Sequence, residues 1–151
     1  PHFGIGADII VGFPGETEAQ YQATYRLLEE LRFDRVGAFT YSPEEGTAAA
    51  EIAHQVPEEV KQERWERFMA LQQDISSAKL QQKVGSTIEI LIDEVDAQGA
   101  IGRSSADAPE IDGYVIVEKE LEIGQMVPVL VTGAMEYDLV AMPANEPILV
   151  M

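Results

Sequence analysis

The hydrophobic period of the chain changes at residues 84–86 ("VGS"), and this change limits the fold more than any other feature. Before it, residues 57–82 carry apolar side chains at helical spacing. After it, "TIEILIDEVD" alternates apolar and polar residues, as a half-buried β-strand does. Turn sequences at "DAQGA", "DAPEIDG" and "EIG" divide the remainder into about five short strands. We therefore predict a small closed β-barrel of the OB type over residues 84–151.

The segment before the helix has the pattern strand, helix, strand. "IGADIIVGF" (5–13) predicts a strand buried on both faces, because its β-branched residues are consecutive. Thr17 and Gln20 form a capping box at the start of a helix with one apolar stripe. "RVGAFTYSP" (35–43) predicts the second strand. This order predicts a βαβ unit with parallel strands and a right-handed crossover.

The chain therefore divides into three predicted parts: residues 1–56 in an α/β sheet, residues 57–83 as a connecting helix, and residues 84–151 as the barrel. One βαβ unit cannot close a sheet, so we expect a C-terminal part of a longer enzyme, with the catalytic centre before Pro1. The unpaired sheet edge of such a fragment predicts dimerisation or strand exchange. Within the tail 143–151, the segment "PILVM" (147–151) is either a sixth strand or an extension.

The turn "GFPG" after the first strand is the first candidate site. Gly12 and Gly15 remove side chains where the strand ends, so a ligand could contact backbone. A phosphate would occupy the N-terminus of the following helix. Glu16 and Glu18 already place negative charge there, which argues against a phosphate site. The alternative is a tight turn with no ligand.

Residue types that perform catalysis or bind metals are scarce. The absence of cysteine excludes disulfides, thiolate zinc sites, thiolate-held iron–sulfur clusters and cysteine nucleophiles in this chain. His2 and His54 have no matched spacing, and neighbouring acids on a strand diverge. We predict no catalytic residue and no metal ligand here. No signal peptide or membrane span is visible, so we expect a cytoplasmic protein.

Two stretches of the first half resemble a known enzyme class. "DIIVGFPGETEAQYQ", followed by "FTYSPEEGTAAA", resembles the second half of the radical S-adenosylmethionine domain of methylthiotransferases. The barrel after it resembles their C-terminal TRAM domain. "QVPEEVKQERWERFMALQQDIS", "IDEVDAQGAIGRSSADAPEIDGYVIV" and "EYDL" resemble the RimO family, which methylthiolates an aspartate of a small-subunit ribosomal protein. The resemblance extends over nearly the whole chain.

This resemblance implies the C-terminal portion of a partial βα (TIM-like) barrel, followed by a five-stranded TRAM barrel. It implies S-adenosylmethionine and two four-iron four-sulfur clusters in the full-length enzyme, whose protein positions and tunes them. The cysteines for those clusters would lie upstream, so the isolated chain should be inactive. Val11, Gly12, Phe39 and Tyr41 are implied contacts for S-adenosylmethionine. For Phe39 and Tyr41, packing in the barrel core is the equal alternative.

The charge of the chain bears on its partner. The net charge is −17, and residues 83–151 contain three basic and thirteen acidic residues. Such a field repels nucleic acid and attracts a basic protein, such as a ribosomal protein. We predict that Asp107, Glu110 and Asp112 form part of the surface that docks the substrate protein. Arg103 should pair with a nearby acid.

Three alternatives remain open on the sequence alone. The first is a methylthiotransferase acting on transfer RNA, whose TRAM domain would need basic and aromatic residues on the barrel face. Tyr114 and Tyr137 are the barrel's aromatic residues, and both lie in strand patterns that could be core. The second is a non-catalytic acidic adaptor for a basic partner. The third is an acidity that serves only to keep the protein soluble.

Overall fold

The computed structural model describes residues 4–108 and 112–145. The chain forms two compact units, the first ending at Ile75 and the second beginning at Ser76. Within the described residues, no helix is both long enough and apolar enough to span a membrane.

The first unit is built around two parallel strands. Its elements in chain order are β1 (Gly6–Val11), α1 (Glu18–Leu31), β2 (Arg35–Thr40), the short α2 (Ala48–Glu51) and most of α3 (Glu58–Gln81). β1 pairs with β2 in parallel, with Ile9 opposite Ala38. The predicted strand–helix–strand order and the parallel pairing are confirmed.

The start of α1 shows how local sequence fixes an element. The Thr17 hydroxyl accepts a hydrogen bond from the Gln20 backbone N–H, and the Gln20 side chain accepts one from the Thr17 N–H. These two bonds satisfy backbone N–H groups at the helix start, where no preceding helical turn supplies a carbonyl acceptor. α1 ends where Arg32 adopts the left-handed conformation. The predicted capping box is confirmed.

Only one face of the β1–β2 sheet is covered. Val11 and Ala38 pack against Tyr21 of α1 and Phe68 of α3, whose ring centroids are 4.9 Å apart. On the other face Ile10 and Phe39, which are opposite each other, are 60% and 57% exposed. The prediction of a strand buried on both faces is wrong for this chain, because the helices supply apolar side chains to one side only.

The second unit contains a closed five-stranded barrel. Its strands are β3 (Thr87–Asp96), β4 (Gly99–Ser104), β5 (Val115–Val117), β6 (Met126–Ala134) and β7 (Leu139–Pro143). They pair in the order β3-β4-β5-β7-β6 around the barrel. All pairs are antiparallel except β5–β7, where Val115 lies opposite Leu139. The prediction of a five-stranded barrel is confirmed.

The barrel interior follows from the alternation along its strands. Every second residue of a strand points inward, and these inward residues form the apolar core. The fully buried members include Ile90, Ile92, Val115, Val117, Val129 and Val131. Register shifts interrupt β3 and β6, and such bulges bend strands so that a small barrel can close. The last residues of the tail, 146–151, lie outside the described part.

The pairings define two ends of the barrel. β5 and β7 run in parallel and start level with each other. Residues 112–114, which lead into β5, and residues 135–138, which lead into β7, therefore meet at one end. The β3–β4 turn and the β5–β6 connection (residues 118–125) lie at the opposite end. This arrangement decides which loops can form one surface.

Candidate functional site

The turn between β1 and α1 requires glycine at its first position. Gly12 has a φ of 73°, a conformation that residues with a side chain rarely adopt. A Cβ atom at Gly12 would also overlap the aliphatic part of the Lys61 side chain. The Gly12 N–H donates to the Glu16 carboxylate. The backbone of the turn thus approaches α3 closely, and its first amide already has an acceptor within the chain.

A groove of about 320 Å³ lies beside this turn. Ile10, Phe13 and Pro14 supply its apolar lining. Its polar lining comes from Glu16, Gln20 and Thr24. The groove therefore joins the uncovered face of the sheet to the N-terminus of α1, and it offers apolar contact together with hydrogen-bonding groups.

The four residues predicted to contact a cofactor occupy different environments. Val11 is fully buried among apolar side chains, so only its backbone reaches the strand end. Phe39 stands on the uncovered face. Tyr41 follows β2, where its N–H donates to the Val11 carbonyl at 2.8 Å. Its ring meets Phe13 edge-on, with centroids 5.4 Å apart. The structure therefore brings Gly12, Tyr41 and Phe13 together at the carboxyl ends of the two strands.

Arg64 on α3 holds the β1–α1 turn in place, and sequence reasoning missed it. Its guanidinium contacts the Glu16 carboxylate at 3.1 Å and the Glu18 carboxylate at 3.2 Å. The Arg64 side chain is buried, and Glu16 is mostly buried. Because Glu16 also binds the Gly12 N–H, one carboxylate links the helix to the glycine of the turn. Such a pair requires both partners, since either charge alone would be buried without compensation.

Lys61 makes the corresponding link to the second strand. Its ammonium donates to the Tyr41 carbonyl at 2.8 Å and pairs with Glu58. The side chain is buried and its nitrogen lies 5.8 Å from the centre of the Tyr41 ring. Lys61 and Arg64 are three residues apart on the face of α3 that carries Phe68. Their spacing from Phe68 could have revealed both residues in the sequence. A cation on the apolar face of a helix is buried, and a buried cation needs a partner.

The acidic loop of the barrel uses its carboxylates to fix its own shape. Asp107 accepts hydrogen bonds from the Ser104 N–H at 3.2 Å and the Ser104 hydroxyl at 2.6 Å. Asp112 accepts one from the Ala108 N–H at 2.7 Å. Glu110, the third residue of the predicted docking surface, lies outside the described residues. Two of the three predicted docking carboxylates therefore also shape the loop.

A separate carboxylate partners the cation of β4. Arg103 pairs with Asp93 on β3 at 2.9 Å. The prediction that Arg103 pairs with a nearby acid is confirmed.

Both tyrosines of the barrel are exposed rather than buried. Tyr114 precedes β5 and is 45% exposed, and Tyr137 lies between β6 and β7 and is 46% exposed. The expectation that they could belong to the core is wrong, because each falls just outside a strand. Met135, in the same connection as Tyr137, is also exposed and was not singled out from the sequence.

The barrel matches a known domain family. Residues 84–143 fit the TRAM domain family, and these residues contain all five strands. The barrel is a TRAM domain. The resemblance of the barrel sequence to a TRAM domain is therefore confirmed.

Relatives extend the match beyond the TRAM domain. The chain is 55% identical over 143 residues to the ribosomal protein uS12 methylthiotransferase RimO of Actinobacillus pleuropneumoniae serotype 5b (strain L20), covering 92% of the chain and 32% of the relative. It is 55% identical over 148 residues to RimO of Hydrogenovibrio crunogenus (strain DSM 25203 / XCL-2), which covers 97% of the chain and 33% of that relative. It is 57% identical over 141 residues to RimO of Vibrio cholerae O1 (El Tor Inaba N16961), which covers 92% of the chain and 30% of that relative. The predicted relationship to RimO is confirmed, and the chain spans about a third of the length of these relatives.

Metal ligation is not supported by the residues at hand. No group of three His, Cys, Asp or Glu residues in the part of the chain that the structure describes could hold a metal ion. The complete sequence contains no cysteine. Any iron–sulfur cluster associated with this TRAM protein would need ligands from elsewhere.

Burial of Tyr21 predicts a pH dependence of stability. Burial raises the pKa of Tyr21 above its ordinary value of 10.0, because the ionised ring would lose hydration. The folded state therefore holds this proton more tightly than the unfolded state. The resulting stabilisation is complete below about pH 10 and is lost as the pH rises through the raised pKa. We expect Tyr21→Phe to show a smaller loss of urea stability than the unaltered chain between about pH 9 and about pH 11.

Tyr25→Phe is the matched control for this measurement. Tyr25 lies on the same helix, and its ring stacks on Phe68 with centroids 5.9 Å apart. We expect this variant to keep the alkaline loss of the unaltered chain. An equal reduction of the alkaline loss of stability in both variants would contradict the assignment of the effect to Tyr21.

Proposed function

We propose that this chain is part of a radical S-adenosylmethionine methylthiotransferase that modifies an aspartate of ribosomal protein uS12. The observation that carries the proposal is an identity of 55–57% over 141–148 residues to proteins named for that activity. Activity belongs to the whole enzyme, of which this chain supplies about a third. Because the proposed substrate is a ribosomal protein, we propose that the enzyme acts in the cytoplasm.

In this proposal the first unit forms part of the wall of a partial βα barrel. The uncovered face with Ile10 and Phe39 supports this role, because an apolar sheet face is normally buried. The remainder of the enzyme would cover that face and pair the free strand edges. In the isolated chain, the unpaired backbone groups along these edges would favour pairing with a second copy, and therefore dimerisation.

S-adenosylmethionine fits the strand ends by apolar contact. Phe39 and Tyr41 offer aromatic surface, and Gly12 would contribute backbone atoms only, because Lys61 fills the space beside its Cα. Because the Gly12 N–H is bonded to Glu16, we assign Gly12 no donor role. Val11 would contribute backbone atoms alone. When bound, the cofactor supplies radical chemistry, and these residues would orient it and exclude water.

The proposed role of the TRAM domain is to dock the basic substrate. Thirteen acidic against three basic residues in 83–151 support attraction of a cationic protein. Asp107, Glu110 and Asp112 would form part of this surface. The hydrogen bonds of Asp107 and Asp112 within the loop hold these two carboxylates in fixed positions.

A transfer-RNA substrate is the second candidate. The exposed rings of Tyr114 and Tyr137 favour it, because unpaired bases stack on aromatic side chains. The charge opposes it, because phosphate binding depends on lysine and arginine. The protein substrate therefore agrees with both the relatives and the charge, whereas the RNA substrate agrees with the two rings alone.

A chimaeric enzyme tests the proposed activity. The segment of Vibrio cholerae RimO that matches this chain is replaced by the chain, and modification of uS12 is followed by mass spectrometry. We expect a rate within about tenfold of the parent enzyme, because loss of more than about 1.4 kcal/mol in transition-state stabilisation would indicate a mismatched site. The parent enzyme and a chimaera lacking the TRAM domain are the controls. A folded, cluster-loaded chimaera that modifies transfer RNA instead of uS12 would overturn the proposal.

A salt series tests docking with the complete chain. Binding to purified uS12 and to a transfer-RNA anticodon stem–loop is measured for the unaltered chain and for a variant with Asp107→Asn, Glu110→Gln and Asp112→Asn. We expect salt-sensitive binding to uS12, weakened about tenfold in the variant at low salt. Asparagine keeps the oxygen that accepts the loop hydrogen bonds.

The matched control neutralises three acids at the opposite end of the barrel. Glu118→Gln, Glu120→Gln and Glu122→Gln remove the same charge from the β5–β6 connection. We expect a loss of affinity below about threefold, since only the general field of the protein changes. Equal losses in the two triple variants would assign docking to net charge rather than to the acidic loop.

A further inference from the structure

The two tyrosines of the TRAM domain lie in connections that are hydrogen-bonded to each other. The Tyr114 N–H donates to the Asp138 carboxylate at 2.8 Å, and the Tyr114 carbonyl accepts from the Leu139 N–H at 2.9 Å. The Met135 N–H in turn donates to the Asp138 carbonyl at 2.8 Å. The connections 112–114 and 135–138 are thus bonded side by side. We name this surface, formed by Tyr114, Met135 and Tyr137, the tyrosine end.

The tyrosine end exposes large apolar side chains at fixed positions. Met135 is 55% exposed, more than either tyrosine. Tyrosine and methionine are enriched in the cores of protein–protein interfaces, and tyrosine buries much area at little entropic cost. Backbone hydrogen bonds on both sides hold the segments that carry them. The surface is therefore preorganised for contact rather than assembled on binding.

The charge around the tyrosine end selects the kind of partner. Residues 104–118 and 120–145 contain no lysine or arginine. Glu136 lies between Met135 and Tyr137, and Asp138 follows them. Exposed aromatic faces beside carboxylates attract guanidinium groups, which stack on the ring and donate charge-assisted hydrogen bonds to the carboxylates.

We infer that Tyr114, Met135 and Tyr137 form the anchor of the docking surface, and that they receive an arginine-bearing segment of a basic protein. The inference rests on the proposed function and deepens it, because it names the contact residues and the side chain that they recognise. Acids elsewhere on the barrel then steer the encounter, and the tyrosine end determines how long the complex lasts. RNA is disfavoured here, because phosphates would face Glu136 and Asp138.

The test compares variants of the complete chain in binding to purified uS12. Tyr114→Ala combined with Tyr137→Ala removes both rings but keeps the backbone bonds of Tyr114. We expect at least a tenfold loss of affinity, mainly through faster dissociation. Tyr114→Phe combined with Tyr137→Phe keeps the faces and should stay within about twofold of the unaltered chain. Circular dichroism confirms that each variant is folded.

Exposed apolar residues at the opposite end of the barrel provide the matched control. Ile123→Ala combined with Met126→Ala removes comparable exposed surface from the β5–β6 region. We expect a change below about twofold. A second measurement compares competition by an arginine-rich peptide with competition by a lysine peptide of equal length and charge. We expect the arginine peptide to compete at least fivefold better.

The outcomes separate this inference from the proposal on which it rests. If the alanine pair binds uS12 as tightly as the unaltered chain, the tyrosine end is not the anchor, and the acidic docking proposal stands. If the unaltered chain does not bind uS12 at all, both fall. If the alanine pair loses affinity for the RNA stem–loop and keeps its affinity for uS12, the surface binds RNA and the inference is overturned.

Discussion

Replacement of Ile90 by alanine is expected to lower the free energy of unfolding of the TRAM barrel by about 3 kcal/mol. Ile90 is fully buried in the barrel core, beside β3 residue Ile92. Removal of its branched side chain costs the transfer free energy of the lost atoms and leaves a cavity that a closed barrel cannot readily collapse. Urea denaturation of the complete chain, followed by far-UV circular dichroism, measures the loss.

Ile123→Ala is the control for this measurement. The substitution is the same, but Ile123 is largely exposed in the β5–β6 connection. We expect a change within about 0.5 kcal/mol. Equal losses at the two positions would mean that the alternation along β3 does not define the core.

Replacement of Arg64 by methionine is expected to cost about 3 kcal/mol in the first unit. The Arg64 side chain is 7% exposed, and its removal leaves the Glu16 carboxylate without its cation. Trp65, the single tryptophan, lies next to Arg64 and donates to the Ala38 carbonyl at 2.7 Å. Its fluorescence therefore follows urea unfolding of this unit. Faster hydrogen exchange at Gly12 should accompany the loss, because Glu16 accepts from its N–H.

Arg67→Met on the same helix is the matched control. The Arg67 side chain is 43% exposed, and its contact with Glu63 is long, at 4.0 Å. We expect a cost within about 1 kcal/mol. Addition of Glu16→Gln to Arg64→Met should restore part of the stability, because the uncompensated charge is gone. Additive losses in the double variant would show that the two groups do not act as a pair.

The elements that could be predicted depend on local rules. The capping box of Thr17 and Gln20 satisfies backbone donors three residues apart, so it is visible in any window that contains it. The alternation of β3 works in the same way, because inward and outward side chains follow each other along one strand. The change of period at residues 84–86 separated the barrel from the helix for the same reason.

The errors arise where a residue's environment depends on distant parts of the chain. Ile10 and Phe39 look like core because apolar strand residues normally are, but the sequence does not state which segment covers them. Tyr114 and Tyr137 were placed in strands, although each lies just outside one. Strand ends are set by pairing partners, and a short apolar run does not reveal where pairing stops.

The turn after β1 was predictable in position, and the side-chain contacts that hold it were not. Gly12 marked the strand end correctly, and its positive φ explains the choice of glycine. Its hydrogen bond to Glu16 and the buried cations Lys61 and Arg64 were not foreseen. Lys61 and Arg64 contact the turn from more than 40 residues further along the chain, and no local sequence pattern reports a contact over that separation.

Closure of the TRAM barrel has a consequence for how such domains diversify. Because all five strands in the described part of the chain pair around the ring, these strands leave no free sheet edge for a partner. Recognition is left to the connections at its two ends, which can change in length and sequence while the apolar interior stays the same. Loop grafting at the end where residues 112–114 and 135–138 meet should therefore transfer specificity between related enzymes without a redesign of the core.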